Sequence, residues 1–188
     1  MPYNRPEPPM LLAQTEPNLK PIDFFDLKTL ETPREIIEAD FPSVGKLPIS
    51  GGWGYDLATA CVIDRNDPRV DPTVPFNGVA IEYLFAEKRL FEELIVFRPK
   101  GHKYCHIDKR RMMQSLHRVD DRTYDVLSFE VTAFREEDFD FLKELYEGPN
   151  GIINPDFDRT AHEALHRSMM RSGMREYWFD ITSFYGTA

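Results

Sequence analysis

The stretch VAIEYLFAEKRLFEELIVFR, Val79 to Arg98, decides the architecture of this 188-residue chain. Read with a period of two, Ile81, Tyr83 and Phe85 fall on one side, as in a half-buried strand. Read with a period near 3.6, Leu84, Lys88, Phe91 and Ile95 form the stripe, and a lysine interrupts it. The first pattern is the cleaner one. It predicts two antiparallel strands joined through a turn at Ala86-Glu87-Lys88-Arg89.

Working outward, a second hairpin is clearer. MMQSLHRV (112–119) and TYDVLSFEVTAF (123–134) flank a turn at Asp120-Asp121-Arg122. Leu127, Phe129, Val131 and Ala133 alternate with Ser128, Glu130 and Thr132, so one face of that strand meets a core. LATACVID (57–64) reads as a buried strand, and REYWFDITSFY (175–185) as a closing one. Three helices are expected. One starts at Thr32-Pro33, an N-cap followed by proline in the first turn. A second follows Arg135, with Phe139, Leu142, Leu145 and Tyr146 on one face and Gly148 as its stop. The third runs from about Pro155 to Ser172, capped by Asn154 and ended by Gly173. The expected fold is α+β, an antiparallel sheet of about five or six strands packed by two or three helices.

Residues 1–21 hold six of the fifteen prolines and predict an extended arm; 22–188 form a single α+β domain. The composition is 41% hydrophobic and 13% aromatic, which indicates a packed globular protein. No apolar run approaches the roughly 20 residues of a membrane span. Without a basic start and an apolar h-region, the N-terminus does not read as a secretory signal, and the expectation is a cytoplasmic protein. Cys61 and Cys105, far apart and outside any C-x-x-C pair, read as free thiols. A net charge of −9 argues against a general nucleic-acid binder and suits attraction to a basic partner.

Three stretches carry possible chemistry. Thr160–Arg167, TAHEALHR, fits the H-E-x-x-H pattern of zinc peptidases. There His162 and His166 would share a helix face and bind zinc, and Glu163 would act as general base on the metal-bound water. Glu176, Asp180 or Cys105 would be the third ligand. The resemblance covers these five residues. The longer H-E-x-x-H-x-x-G-x-x-H form is not met, because Met169 and Ser172 stand at the glycine and third histidine positions. On a helical wheel, Phe157, Ala161, Ala164, Leu165, Ser168 and Ser172 form the expected core side. That places His162 and His166 on a flank and Glu163 on the surface between Arg159 and Arg167.

The second stretch, residues 98–111, sets Arg98, Lys100, Lys103, Lys109, Arg110 and Arg111 against Asp108 alone. It could hold a phosphate or an RNA backbone, or pair with the protein's own acidic helix, Glu136–Glu147. The third, ISGGWGYD (49–56), sets Trp53 among glycines, where it could anchor a partner. The favoured reading is a small acidic protein that binds another macromolecule, most plausibly a protein, in an inhibitor-like, immunity-like or assembly role. It has no catalysis of its own and no cofactor. The alternatives are a zinc-dependent hydrolase on the HEALH helix and a phosphate or RNA binder at 98–111.

Overall fold

The computed structural model describes residues 19–73, 75–148 and 152–186; the expected arm lies almost wholly outside them. Six strands and four α-helices make an α+β fold among these residues. Strands β1 (Lys20–Pro21), β2 (Ile49–Gly51), β3 (Cys61–Ile63), β4 (Tyr104–Val119), β5 (Arg122–Arg135) and β6 (Arg171–Asp180) form one mixed sheet. Its order is β2-β3-β6-β5-β4, with β1 also on β6. The pairs β2–β3, β4–β5 and β5–β6 are antiparallel, whereas β1 and β3 run parallel to β6.

Helix α1 (Pro33–Asp40) begins as its sequence predicts. Thr32 Oγ1 accepts from the Glu35 N–H and Glu35 reaches back to the Thr32 N–H, a complete capping box. The β4–β5 hairpin turns at Asp120–Asp121, with Asp120 in the left-handed region at φ 53°. β4 starts at Tyr104, eight residues before the expected Met112, because the basic stretch continues the strand.

The region is helix from Gly78 through Val96, which overturns the hairpin expected over 79–98. Helix α2 (Gly78–Phe91), capped by Asn77, continues into a π-turn over Glu92–Val96. Its buried positions are Gly78, Glu82, Phe85, Ala86, Arg89 and Leu90, followed by Glu92, Glu93 and Leu94. That is a helical period with four charged residues inside it. An apolar count cannot register a face built partly of Glu and Arg, so the spurious alternation of Ile81, Tyr83 and Phe85 dominates.

α2 packs on one face of the sheet with Leu127, Phe129, Val131, Ala133, Tyr177 and Phe179, where the main core lies. On the other face, helices α3 (Glu136–Tyr146) and α4 (Arg159–Met169) cover only the end of the sheet near Phe134. α4 is shorter than expected. Asp158, not Asn154, is its N-cap, and Gly173 lies inside β6 instead of stopping the helix. Of the expected α3 face, Leu142 is buried while Leu145 and Tyr146 remain exposed. No helix among the described residues is long and apolar enough to cross a membrane.

Candidate functional site

The buried charges of α2 meet the edge of β6. β6 pairs with β5 along one side. On the other side β1 takes its start and β3 its end, leaving a gap between them. Arg89 fills this gap. Its Nη2 donates to the Glu176 carbonyl at 2.9 Å, and its Nη1 donates to the carbonyls of Trp53 (2.8 Å) and Gly54 (2.9 Å). The Trp178 N–H then donates to the Gly54 carbonyl at 2.9 Å. The approach is so close that a Cβ on Gly54 would lie 2.9 Å from the Trp178 oxygen, and its φ of +73° also favours glycine. A guanidinium thus takes the place of strand donors.

Arg89 is fully buried, so its charge needs a partner. Glu93 Oε1 accepts from its Nε at 2.8 Å, and the rings of Tyr55 and Tyr177 lie about it at 4.1 and 4.0 Å. Glu93 also accepts from the Tyr55 hydroxyl (2.9 Å) and from Arg175 Nε (3.0 Å). Arg175 Nη2 in turn bonds Asp26 at 2.8 Å, which ties the 22–32 segment to the sheet. Burial and the Glu93 carboxylate raise the Tyr55 hydroxyl well above its usual range. The π-turn turns the Glu93 carbonyl towards Arg98 Nε, at 2.9 Å. The donors in this network meet backbone carbonyls or the carboxylates of Glu93 and Asp26, so its first role is to hold the fold.

Three further acids, Glu82, Glu92 and Asp125, are buried with an oxygen that finds no donor among the described residues. Glu82 lies near Asp125, and burial together with that neighbour raises its carboxyl to about 8. Glu92, beside Asp40, is raised by burial to about 7.

α4 faces the protein differently from its wheel. His162, Leu165, His166 and Met169 turn inward, while Ala161, Ala164 and Ser168 are exposed. Of the expected core side, Phe157 and Leu165 are half-buried, but Ala161, Ala164 and Ser168 are small and bury little area, and the imidazoles offer more. The histidines are therefore packing groups: His162 Nε2 lies 3.0 Å from the Leu142 carbonyl of α3, and the His166 ring lies 4.6 Å from that of Phe134. Glu163 is on the surface, as expected, with Oε1 accepting from Arg159 Nε at 2.8 Å. The proposed third ligands are elsewhere. Glu176 accepts from Ser128 at 3.2 Å, and Asp180 accepts from Arg122 and Thr182. Cys105 is a half-buried free thiol, raised to about 11 by burial and by Glu136 and Asp140. Among the described residues, no three His, Cys, Asp or Glu side chains gather into a group that could hold a metal ion.

Four of the six cations of 98–111 are engaged within the chain. Arg98 is buried and bonds Asp23; Lys109 faces Glu87 at 3.7 Å; Arg110 pairs with Glu130 at 2.6 Å; Arg111 donates to the Tyr83 hydroxyl at 2.7 Å. The acids are thus Asp23, Glu87 and Glu130, not the acidic helix α3, although the Glu136 N–H does bond the Lys103 carbonyl at 3.1 Å. Trp53 is 5% exposed, with Nε1 donating to Thr29 at 3.1 Å and its ring 6.2 Å from Phe85. It closes the core and presents no anchor to a partner.

What remains open among the described residues is the sheet face beyond α3 and α4. There β4, β5 and β6 present His117, Ser115, Met113 and Arg110 beside Tyr124, Val126, Ser128 and Glu130, then Trp178, Glu176 and Met174. His117 stacks on Trp178 with centroids 5.3 Å apart. Met113 and Met174 are 57% and 55% exposed, high values for large apolar side chains on a sheet. Sequence reading missed this face. Its signal was the exposed-side alternation of MMQSLH with EYWFD, which only the strand register brings together.

Comparison with known protein families, with curated proteins and with solved structures finds no match to this chain.

Proposed function

We propose that this protein works by binding another protein on the open face of β4, β5 and β6, without catalysis of its own. The observation that carries this reading is the stack of half-buried Trp178 on exposed His117, with exposed Met113 and Met174 further along the same face. A large aromatic beside exposed methionines is the composition of an interface core, and methionine adapts its shape to a partner. Glu176 on the face and Asp120 and Asp121 at the hairpin tip are acidic, while Glu130 is paired with Arg110. With a net charge of −9, these acids favour a partner with a basic rim.

A photo-crosslinking residue at Met174, with one at the exposed Val79 of α2 as control, tests the reading in cells of the source. A discrete heavier adduct from position 174, absent from 79 and lost when Met113→Asp is added, is the expected result. No adduct at 174, or the same adducts from both positions, contradicts it.

A further inference from the structure

The open face reaches the boundary of the molecule at β4. This strand has sixteen residues and is paired only on its β5 side among the described residues. That leaves about 50 Å of outward backbone as a template for another strand. Two features determine which strand fits. The first is the irregularity at Met112, where pairing shifts from Arg111–Phe129 to Met113–Ser128. Because of it Asp108 and Arg110 share the open face with Ser115 and His117, while Lys109, Arg111, Gln114 and Leu116 lie on the other. An antiparallel neighbour must break its own alternation at the same place, and β4 itself does so when rotated about an axis between Met112 and Met113.

The second feature is charge. In that register Asp108 stands opposite His117, Arg110 opposite Ser115, Lys109 opposite Leu116 and Arg111 opposite Gln114. An imidazole N–H meets a carboxylate at both ends, and no like charges are opposed. Arg110 and Lys109 already face Glu130 and Glu87 of their own chain, so the edge is not a bare row of cations. The exposed Met112 and Met113 meet at the axis. We propose that β4 pairs antiparallel with β4 of a second copy about the two-fold axis between Met112 and Met113, giving one continuous sheet with both open faces on the same side.

This rests on the reading of the open face as a docking surface, but its test is separate. Met174 lies two strands in from the β4 edge, so pairing along β4 does not reach it. Light scattering on the full chain at tens of micromolar should give twice the 22.0 kDa chain mass. Met112→Lys with Met113→Lys should return the single-chain mass with an unchanged far-UV spectrum and melting transition. In a Cys105→Ser background, Arg110→Cys with Ser115→Cys should form a disulfide between copies under mild oxidation, and Lys109→Cys with Ser115→Cys should not. A single-chain mass, a dimer that survives the two lysines, or cross-linking of the 109/115 pair in place of 110/115 would each overturn the proposal. An adduct at Met174 from a chain of single mass would leave the docking face standing and refute the self-pairing.

Discussion

Helices α2 and α4 carry their charged residues in opposite ways. α4 contains the five-residue pattern that looks like chemistry, yet none of its residues is fully buried and its glutamate pairs with Arg159 in solvent. α2 has no motif at all, yet Glu82, Arg89 and, in the following π-turn, Glu92 and Glu93 are almost completely excluded from water. Spacing along a helix says which residues share a side. What that side meets decides their role: bulk solvent and a neighbouring carbonyl for α4, a gap in a sheet for α2.

The largest effect should come from Arg89→Met. The change strips donors from three backbone carbonyls and leaves buried Glu93 with less compensation. A cost of about 3–5 kcal/mol, read from urea unfolding, is expected. Adding Glu93→Gln should restore part of it, because the residual buried charge is then gone; additive losses would show that the two residues are not coupled.

A smaller effect is the pH dependence of stability. The carboxyls of Glu82 and Glu92, raised from 4.5 to about 8 and about 7, hold protons in the folded chain that the unfolded chain has released. Their contribution is complete below pH 4.5 and is lost as pH rises through 7 to 8. Asp23, whose carboxyl is lowered by Tyr104, Arg98 and Arg135 against a raising effect of burial, acts in the opposite sense only near and below pH 3.8. The urea midpoint should therefore fall between pH 5 and 8, and Glu82→Gln should flatten the fall. An unchanged slope in that variant would show that Glu82 is ionised in the folded protein.

Smallest of all should be Glu163→Gln, which removes one exposed ion pair and should leave the urea midpoint essentially where it is. Protein purified without a histidine tag should contain far less than one zinc per chain by elemental mass spectrometry, and His162→Ala should leave that figure unchanged. Stoichiometric zinc lost in the variant would restore the hydrolase reading.

Much of the fold was legible. The capping box at Thr32 and Glu35, the alternation from Leu127 to Ala133 and the aspartate turn at 120–121 are local signals, and local geometry honours them. α2 was illegible because its burial is stabilised by partners far along the chain: Trp53, Gly54, Arg175 and Glu176. The orientation of α4 failed for a related reason. Alanine and serine count as the apolar side of a wheel, but two imidazoles that find Leu142 and Phe134 bury more. At the open face, Met113, Trp178 and Met174 lie on three strands, so only their register reveals it.

Native-state hydrogen exchange compares the two helices' surroundings most directly. The amide of Trp178, bonded to Gly54, and that of Ile22, bonded to Ser172, should exchange only through global unfolding. The amides of α4 and its C-cap, such as His162 and Met170, should exchange through local opening, with protection lower by at least about a thousandfold. α4 amides as slow as that of Trp178 would contradict the view that the sheet gap closed by Arg89, and not the HEALH helix, is the structural centre of this protein.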